Sequence, residues 1–118
     1  MRTTFKAGAD LTGKIGYAVV ATENDREVEL GSTAGELCVG ILMNDNIAGY
    51  AVGVALAGEI CKGKLGGTVA CGQGLAVDAN GKLKVATAGQ NVIAKALKDG
   101  VADDLIEIEV VDYVQPQA

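Results

Sequence analysis

Gly74-Leu75-Ala76-Val77-Asp78-Ala79-Asn80-Gly81-Lys82-Leu83-Lys84-Val85 is the stretch that decides the fold. Two short apolar runs flank Asn80-Gly81, the strongest local signature of a hairpin closed by a two-residue type I′ turn. Beyond that turn Leu83 and Val85 alternate with Lys82 and Lys84, so one face of the strand meets a core and the other meets water. The same alternation recurs at Glu27-Val28-Glu29-Leu30. It returns near the C-terminus, where Ile106, Ile108 and Val110 alternate with Glu107 and Glu109.

Working outward, the stretch proves to be one of two copies. Gly74 to Ala79 echoes Gly16-Tyr17-Ala18-Val19-Val20-Ala21, and Asn80-Gly81-Lys82 echoes Asn24-Asp25-Arg26. Thr87-Ala88-Gly89-Gln90 echoes Thr33-Ala34-Gly35-Glu36, and each copy then runs through an apolar stretch to an acidic turn, at Asp45 and at Asp99. Upstream, Lys6, Gly8 and Gly16 match Lys64, Gly66 and Gly74. A period of roughly 55 residues is half a small domain rather than one solenoid unit. Val92 to Lys98 has helical propensity, but its counterpart, Cys38 to Met43, is β-prone; duplicated halves fold alike, so both are read as strands. The expected fold is all-β, a small antiparallel β-barrel or sandwich with two pseudo-symmetric halves, 6–60 and 64–114, joined near 61–67. Residues 1–5 and 115–118 lie outside the duplication, as an arm and a tail.

One strand departs from alternation. In Ala51-Val52-Gly53-Val54-Ala55-Leu56-Ala57 the large residues share one face, Ala and Gly share the other, and neither is charged. Such a strand is covered on both sides, by a second layer of the same domain or by another subunit.

Composition narrows the function. The 118 residues include no His, so a Ser-His-Asp triad, a Cys-His dyad and His-based zinc sites are excluded, and an enzyme is not expected. The net charge of −5 and the scarcity of aromatics argue against a nucleic-acid partner. The most apolar run, Ile47 to Ala57, is too short to span a bilayer, and no apolar segment follows Met1, so the expectation is a soluble chain made in a cytoplasm. Cys38, Cys61 and Cys71 have no C-x-x-C spacing and are expected as reduced thiols filling core space. Gly8 to Lys14 imitates a phosphate loop, but Ile15 replaces its Mg²⁺-binding hydroxyl. Gly72-Gln73-Gly74 reads as turn glycines, and Asn44-Asp45-Asn46 and Asp103-Asp104 as solvated turns rather than Ca²⁺ loops. No cofactor or metal is expected. One alternative is a carrier domain resembling biotinyl and lipoyl domains, with Lys82 at a hairpin tip, although Gly81-Lys82-Leu83 lacks their Met-Lys-Met or Asp-Lys motif.

In their order along the chain, Gly35 to Gly40, Ala51 to Gly58, Gly66-Gly67, Gly72 to Gly89, Ile93 to Leu97 and Leu105 to Val111 resemble the capsid cement, or head decoration, proteins of tailed bacteriophages. The resemblance implies a non-enzymatic structural protein of the virion, made in the host cytoplasm and bound to the outer capsid surface. It implies the major capsid protein as partner and a homotrimer on the shell, with bridging of capsid subunits. The three Cys and the Tyr113-Val114-Gln115-Pro116 tail depart from common members. Because aromatics and Arg concentrate at binding hot spots, Arg2, Thr3, Thr4 and Phe5 are the expected capsid-binding residues. Ala51, Gly53, Ala55, Ala57 and Tyr113 are the expected subunit interface.

Overall fold

The computed structural model describes residues 2–114. It contains ten strands and, among the described residues, no helix: β1 (Arg2–Ala7), β2 (Ala18–Ala21), β3 (Glu27–Leu30), β4 (Gly40–Leu42), β5 (Ala51–Ala55), β6 (Ile60–Lys64), β7 (Gly74–Val77), β8 (Leu83–Val85), β9 (Asn91–Ala96) and β10 (Leu105–Val114). The first five close into a barrel of order β1-β3-β2-β4-β5, and the last five form a sheet of order β6-β10-β9-β7-β8. In the barrel β1 runs parallel to β3 and antiparallel to β5. In the second sheet a parallel bridge between Leu65 and Leu83 brings the β6 end to β8. Both halves therefore have one cyclic strand order, and the all-β two-half architecture read from the sequence is present.

Matching hydrogen bonds set the equivalence position by position. Gly8 N donates to Val28 O as Gly66 N does to Leu83 O, and Leu11 N to Asn46 O as Val69 N does to Gly100 O. The two acidic turns do one job: the Asp45 carboxylate accepts from Gly13 N at 2.7 Å, and that of Asp99 from Cys71 N at 2.7 Å. The Thr-Ala-Gly turns are also alike, with Glu36 accepting from Thr33 N and Gln90 from Thr87 N. Two departures are informative. Gly16 N bonds Leu42 O as Gly72 N bonds Ala96 O, so Gly16 is the counterpart of Gly72 rather than of Gly74. The first half carries extra chain between Gly13 and Gly16, and the resulting slip of two residues keeps every side chain on its own face of the strand.

The second departure is the hairpin that opened the reading. Gly81 N donates to Asp78 O and Asp78 N to Lys82 O, so the loop is Ala79-Asn80-Gly81, and of these only Gly81 has positive φ, at 83°. This is a three-residue type I turn followed by a left-handed glycine, not a type I′ turn. Asp78 is the cause: its carboxylate accepts from Asn80 N and Lys82 N, which holds the turn in the type I geometry. Arg26, φ 54°, fills the place of Gly81 in the first half, and Asp103, φ 70°, fills that of Gly49 in the second. These are the only non-glycine residues of positive φ among those described.

The barrel interior is filled by Ala7, Leu11, Val19, Val28, Leu42, Val52 and Val54. A larger cluster includes Ala18, Ile41 and Ala55 of the first half with Leu65, Leu75, Leu83, Ile93 and Ile108 of the second, so the halves share a core. No polar side chain is buried among the described residues. The chain passes between the sheets at residues 56–59, a little before the expected joint, because β6 already belongs to the second sheet as the counterpart of β1.

Residues 2–5 are not an arm. They lie in β1 and pair residue by residue with β5, Arg2 opposite Ala55 through Phe5 opposite Val52. Phe5 packs on the barrel core and carries the Arg26 guanidinium over its ring at 5.0 Å. Hydrophobic contact with β5 recruits the segment, although it stands outside the sequence echo. The tail at 115–118 lies outside the described residues.

Truncation of residues 1–5 is therefore expected to lower the melting temperature sharply and to broaden or abolish the unfolding transition, as calorimetry would register. A Cβ at Gly40 would run into the carbonyl oxygen of Ala55 across the β4–β5 contact. Gly40→Ala should cost about 1–3 kcal/mol in denaturant unfolding, since backbone cannot swing aside as a side chain can.

Candidate functional site

The two faces of β5 meet different surroundings. Val52 and Val54 point into the barrel, and on the opposite face Ala55 is buried in the cluster shared with the second half, so at both places the strand is covered within the chain. For Ala55 the expectation of a subunit surface is corrected. Gly53 is half-buried, its N–H bonded to the Asn44 side chain at 2.6 Å. Ala51 and Ala57 are exposed, and Tyr113 is 46% exposed, paired through β10 with Val92 and with its hydroxyl over Gly74. Of the proposed capsid residues, Thr4 is exposed and Phe5 half-buried, while its carbonyl makes Thr4 the acceptor of a bond from Arg26 Nη2. The structure thus brings Arg2 to Phe5 beside Ala51, Gly53 and Ala55, and leaves Tyr113 on the second sheet.

Sequence motifs resolve into structural roles. In the stretch that imitates a phosphate loop, Asp10 accepts from Thr12 N and Thr12 Oγ1, and those bonds hold its carboxyl below the ordinary range. Gly13 N–H is taken by Asp45. These amides are already engaged by carboxylates, which an anion would have to displace. The thiols differ from one another: Cys38 and Cys61 are half-buried, but Cys71 is exposed rather than part of the core. Burial, with the Glu36 charge second, pushes the Cys38 thiol up to about 12, so it stays protonated and a poor nucleophile.

The junction of the halves is where side chains of both converge. Ala18 N donates to Gly81 O at 2.8 Å, Lys64 N to Gly16 O at 2.9 Å, and Gly35 N to Val77 O at 2.9 Å. Both Asn91 N and Asn91 Nδ2 donate to Gly35 O. An open groove of about 460 Å³ runs beside this seam, lined by Lys14, Tyr17, Ser32, Asn80 and Lys82 among others. Its cations are engaged: Lys14 lies over the Tyr17 ring at 4.9 Å, and Lys82 Nζ donates to Asp103 at 2.7 Å. Lys82 stands at the foot of its hairpin with its ammonium folded onto Asp103, whereas a carrier lysine must project from a tip. The sequence showed Lys14 only in the phosphate-loop imitation, Tyr17 only in the repeat and Asp103 only in a solvated turn, and not the contacts they make here. The available signal was that Asp103 replaces a glycine in the duplicated turn.

No protein-family model matches the chain, and neither does any curated protein. Two linked five-stranded units define the class, and that class has a solved example. The chain is similar in structure to the head fiber gp8.5 N base of bacteriophage phi29, with a TM-score of 0.73 at 12% sequence identity, over 100% of this chain and 98% of that one. At that identity the likeness shows a common fold.

The Lys82–Asp103 pair gives the second half a pH signature. The hydrogen bond from Lys82, then its charge, holds the Asp103 carboxyl below its ordinary 3.8, and the same bond raises Lys82 above 10.5. A lowered carboxylate contributes stability that is present above its unfolded value and lost as pH falls through the folded one; a raised lysine contributes below its unfolded value and loses it as pH climbs through the folded one. The pair should therefore act at full strength from about pH 4 to 10. Asp103→Asn keeps a residue that tolerates positive φ and removes the charge. Its deficit in melting temperature, modest for a pair with an exposed partner, should vanish below the folded Asp103 value and persist at neutral pH.

Proposed function

We propose that this chain is a head decoration protein that binds the outside of a bacteriophage capsid and stabilises the shell by bridging major capsid subunits. The observation that carries the reading is the end-to-end match of both units to the head fiber N base of a bacteriophage. The likeness of the sequence to cement proteins supports it from a separate direction. The charge agrees: a net charge of −5 suits contact with protein more than with packaged DNA.

The partner is the major capsid protein, and the assembled form is a homotrimer on the outer surface. The capsid contact stays with Arg2, Thr3, Thr4 and Phe5, as a strand edge instead of an arm. Residues 2–5 of β1 pair with β5, whereas pairing with β3 involves only Lys6 and Ala7. The Arg26 side chain, rather than a strand, lies along this stretch, and an edge without a neighbouring strand can accept a strand or loop of a partner. Ala51 and Ala57 remain available for a neighbouring copy.

Purified protein added to shells lacking it should co-sediment with them at a fixed stoichiometry and raise the temperature at which they release DNA. Thr4→Asp, an exposed change, should weaken retention by about tenfold or more while the free protein melts as before. Absence of any shell binding would end the capsid reading, and normal retention by the Thr4 variant would move the contact away from β1.

A further inference from the structure

One surface of the repeated unit is covered in the second half and open in the first. Thr33, Glu36 and Leu37 correspond to Thr87, Gln90 and Asn91, as the matching turn bonds show. Ala21 corresponds to Val77, since they pair with the equivalent residues Val28 and Leu83. In the second half this surface is spent on the seam: Val77 O accepts from Gly35 N at 2.9 Å, and Asn91 donates to Gly35 O. In the first half Ala21 is exposed and Leu37 is 59% exposed.

The open surface is a groove of about 430 Å³. Val20, Ala21, Leu37 and Val39 give it an apolar lining, and Cys38 adds a thiol that stays protonated and brings no charge. Two carboxylates stand among these residues, Glu36 and the exposed Asp112 of β10, while no Lys or Arg lines the groove among the described residues. Neither carboxylate has an ion-pair partner among those residues. Glu36 also carries a charge that its turn does not require. Its Oε2 accepts from Ser32 N and Thr33 N, and in the second half the neutral Gln90 accepts the matching bond from Thr87 N. A turn that closes on an amide in one copy and on a carboxylate in the other leaves that charge free for another use.

We propose that this groove takes an arginine or lysine side chain of a partner protein, with the aliphatic stem on Val20, Leu37 and Val39 and the cationic head at the carboxylates of Glu36 and Asp112. The occupant follows from charge complementarity. Two carboxylates without a cation select a positive head, and the apolar lining beside them buries a long stem. An anionic or wholly apolar occupant would instead strip water from those carboxylates and give them no partner. The groove also adjoins the seam, where the equivalent surface of the second half already holds a piece of main chain at Gly35. The contact needs only this chain and a basic side chain, so its test uses no shells and is independent of the capsid reading.

Heteronuclear NMR titration of the full chain reads the site directly, with acetyl-Leu-Arg-Val-amide as one probe and the same peptide carrying neutral citrulline for arginine as the other. The arginine peptide should shift the amides of Val20, Ala21, Leu37, Cys38 and Asp112 and saturate with a dissociation constant below about 5 mM. The citrulline peptide should bind about fivefold more weakly. Glu36→Gln, which copies Gln90, and Asp112→Asn should each weaken the arginine peptide about two- to fivefold, with the melting temperature and the citrulline affinity unchanged. Leu37→Ser should weaken both peptides alike, because it removes apolar lining and no charge. Salt at about 0.5 M should erase the preference for arginine. Equal affinity for the two peptides, shifts confined to other surfaces, no shift up to about 10 mM peptide, or full binding by the doubly neutralised variant would each overturn the proposal.

Discussion

The parallel contact of β1 with β3 is what the rest of the molecule hangs on. Every other strand pair in the barrel is antiparallel and could be made by a meander of short hairpins. A meander, however, ends in two open edges, and only a first strand that lies between β3 and β5 joins them. Lys6 N to Arg26 O at 2.6 Å and Gly8 N to Val28 O at 2.8 Å make that joint. Arg26 must hold positive φ to present its carbonyl there, a conformation that disfavours most side chains. Its guanidinium offsets part of that cost by lying on Phe5 and donating to Thr4 O, which also ties the same β1 residues down. In the second half the joint shrinks to the Leu65–Leu83 bridge and the bond from Gly66 N to Leu83 O, with a glycine in the place of Arg26.

How much of this could be read from the sequence follows from the range of each signal. Alternation is local, and the strands that show it, β3, β8 and the body of β10, are where the sequence places them. The Thr-Ala-Gly turns and the paired aspartates are also local, and each copy repeats its hydrogen bond. β1 carried no such signal: Arg2 to Ala7 reads as a polar end, and its strand character comes from β5, some fifty residues away along the chain. The turn type was misread because Asn-Gly outweighed Asp78, whose two bonds from Asn80 N and Lys82 N decide the geometry. At the candidate site, the cover over Ala55 could not be assigned to one of two sources, since a small buried residue looks the same under a second layer or a second subunit.

A duplicated fold joined by an asymmetric seam carries a physical consequence for the way it bears load. The halves do not meet through a reciprocal contact. Instead the second half gives its hairpin side and the first half its small-residue side, and Ala18, Ile41 and Ala55 sink into a core built mostly by the second half. Pulling the halves apart would strip those side chains from that core and break the main-chain bonds at Ala18, Gly35 and Lys64 together. The seam is therefore part of the folding unit and not a hinge between independent domains. That property fixes the two ends of a molecule whose extents are only 40 × 25 × 24 Å relative to each other.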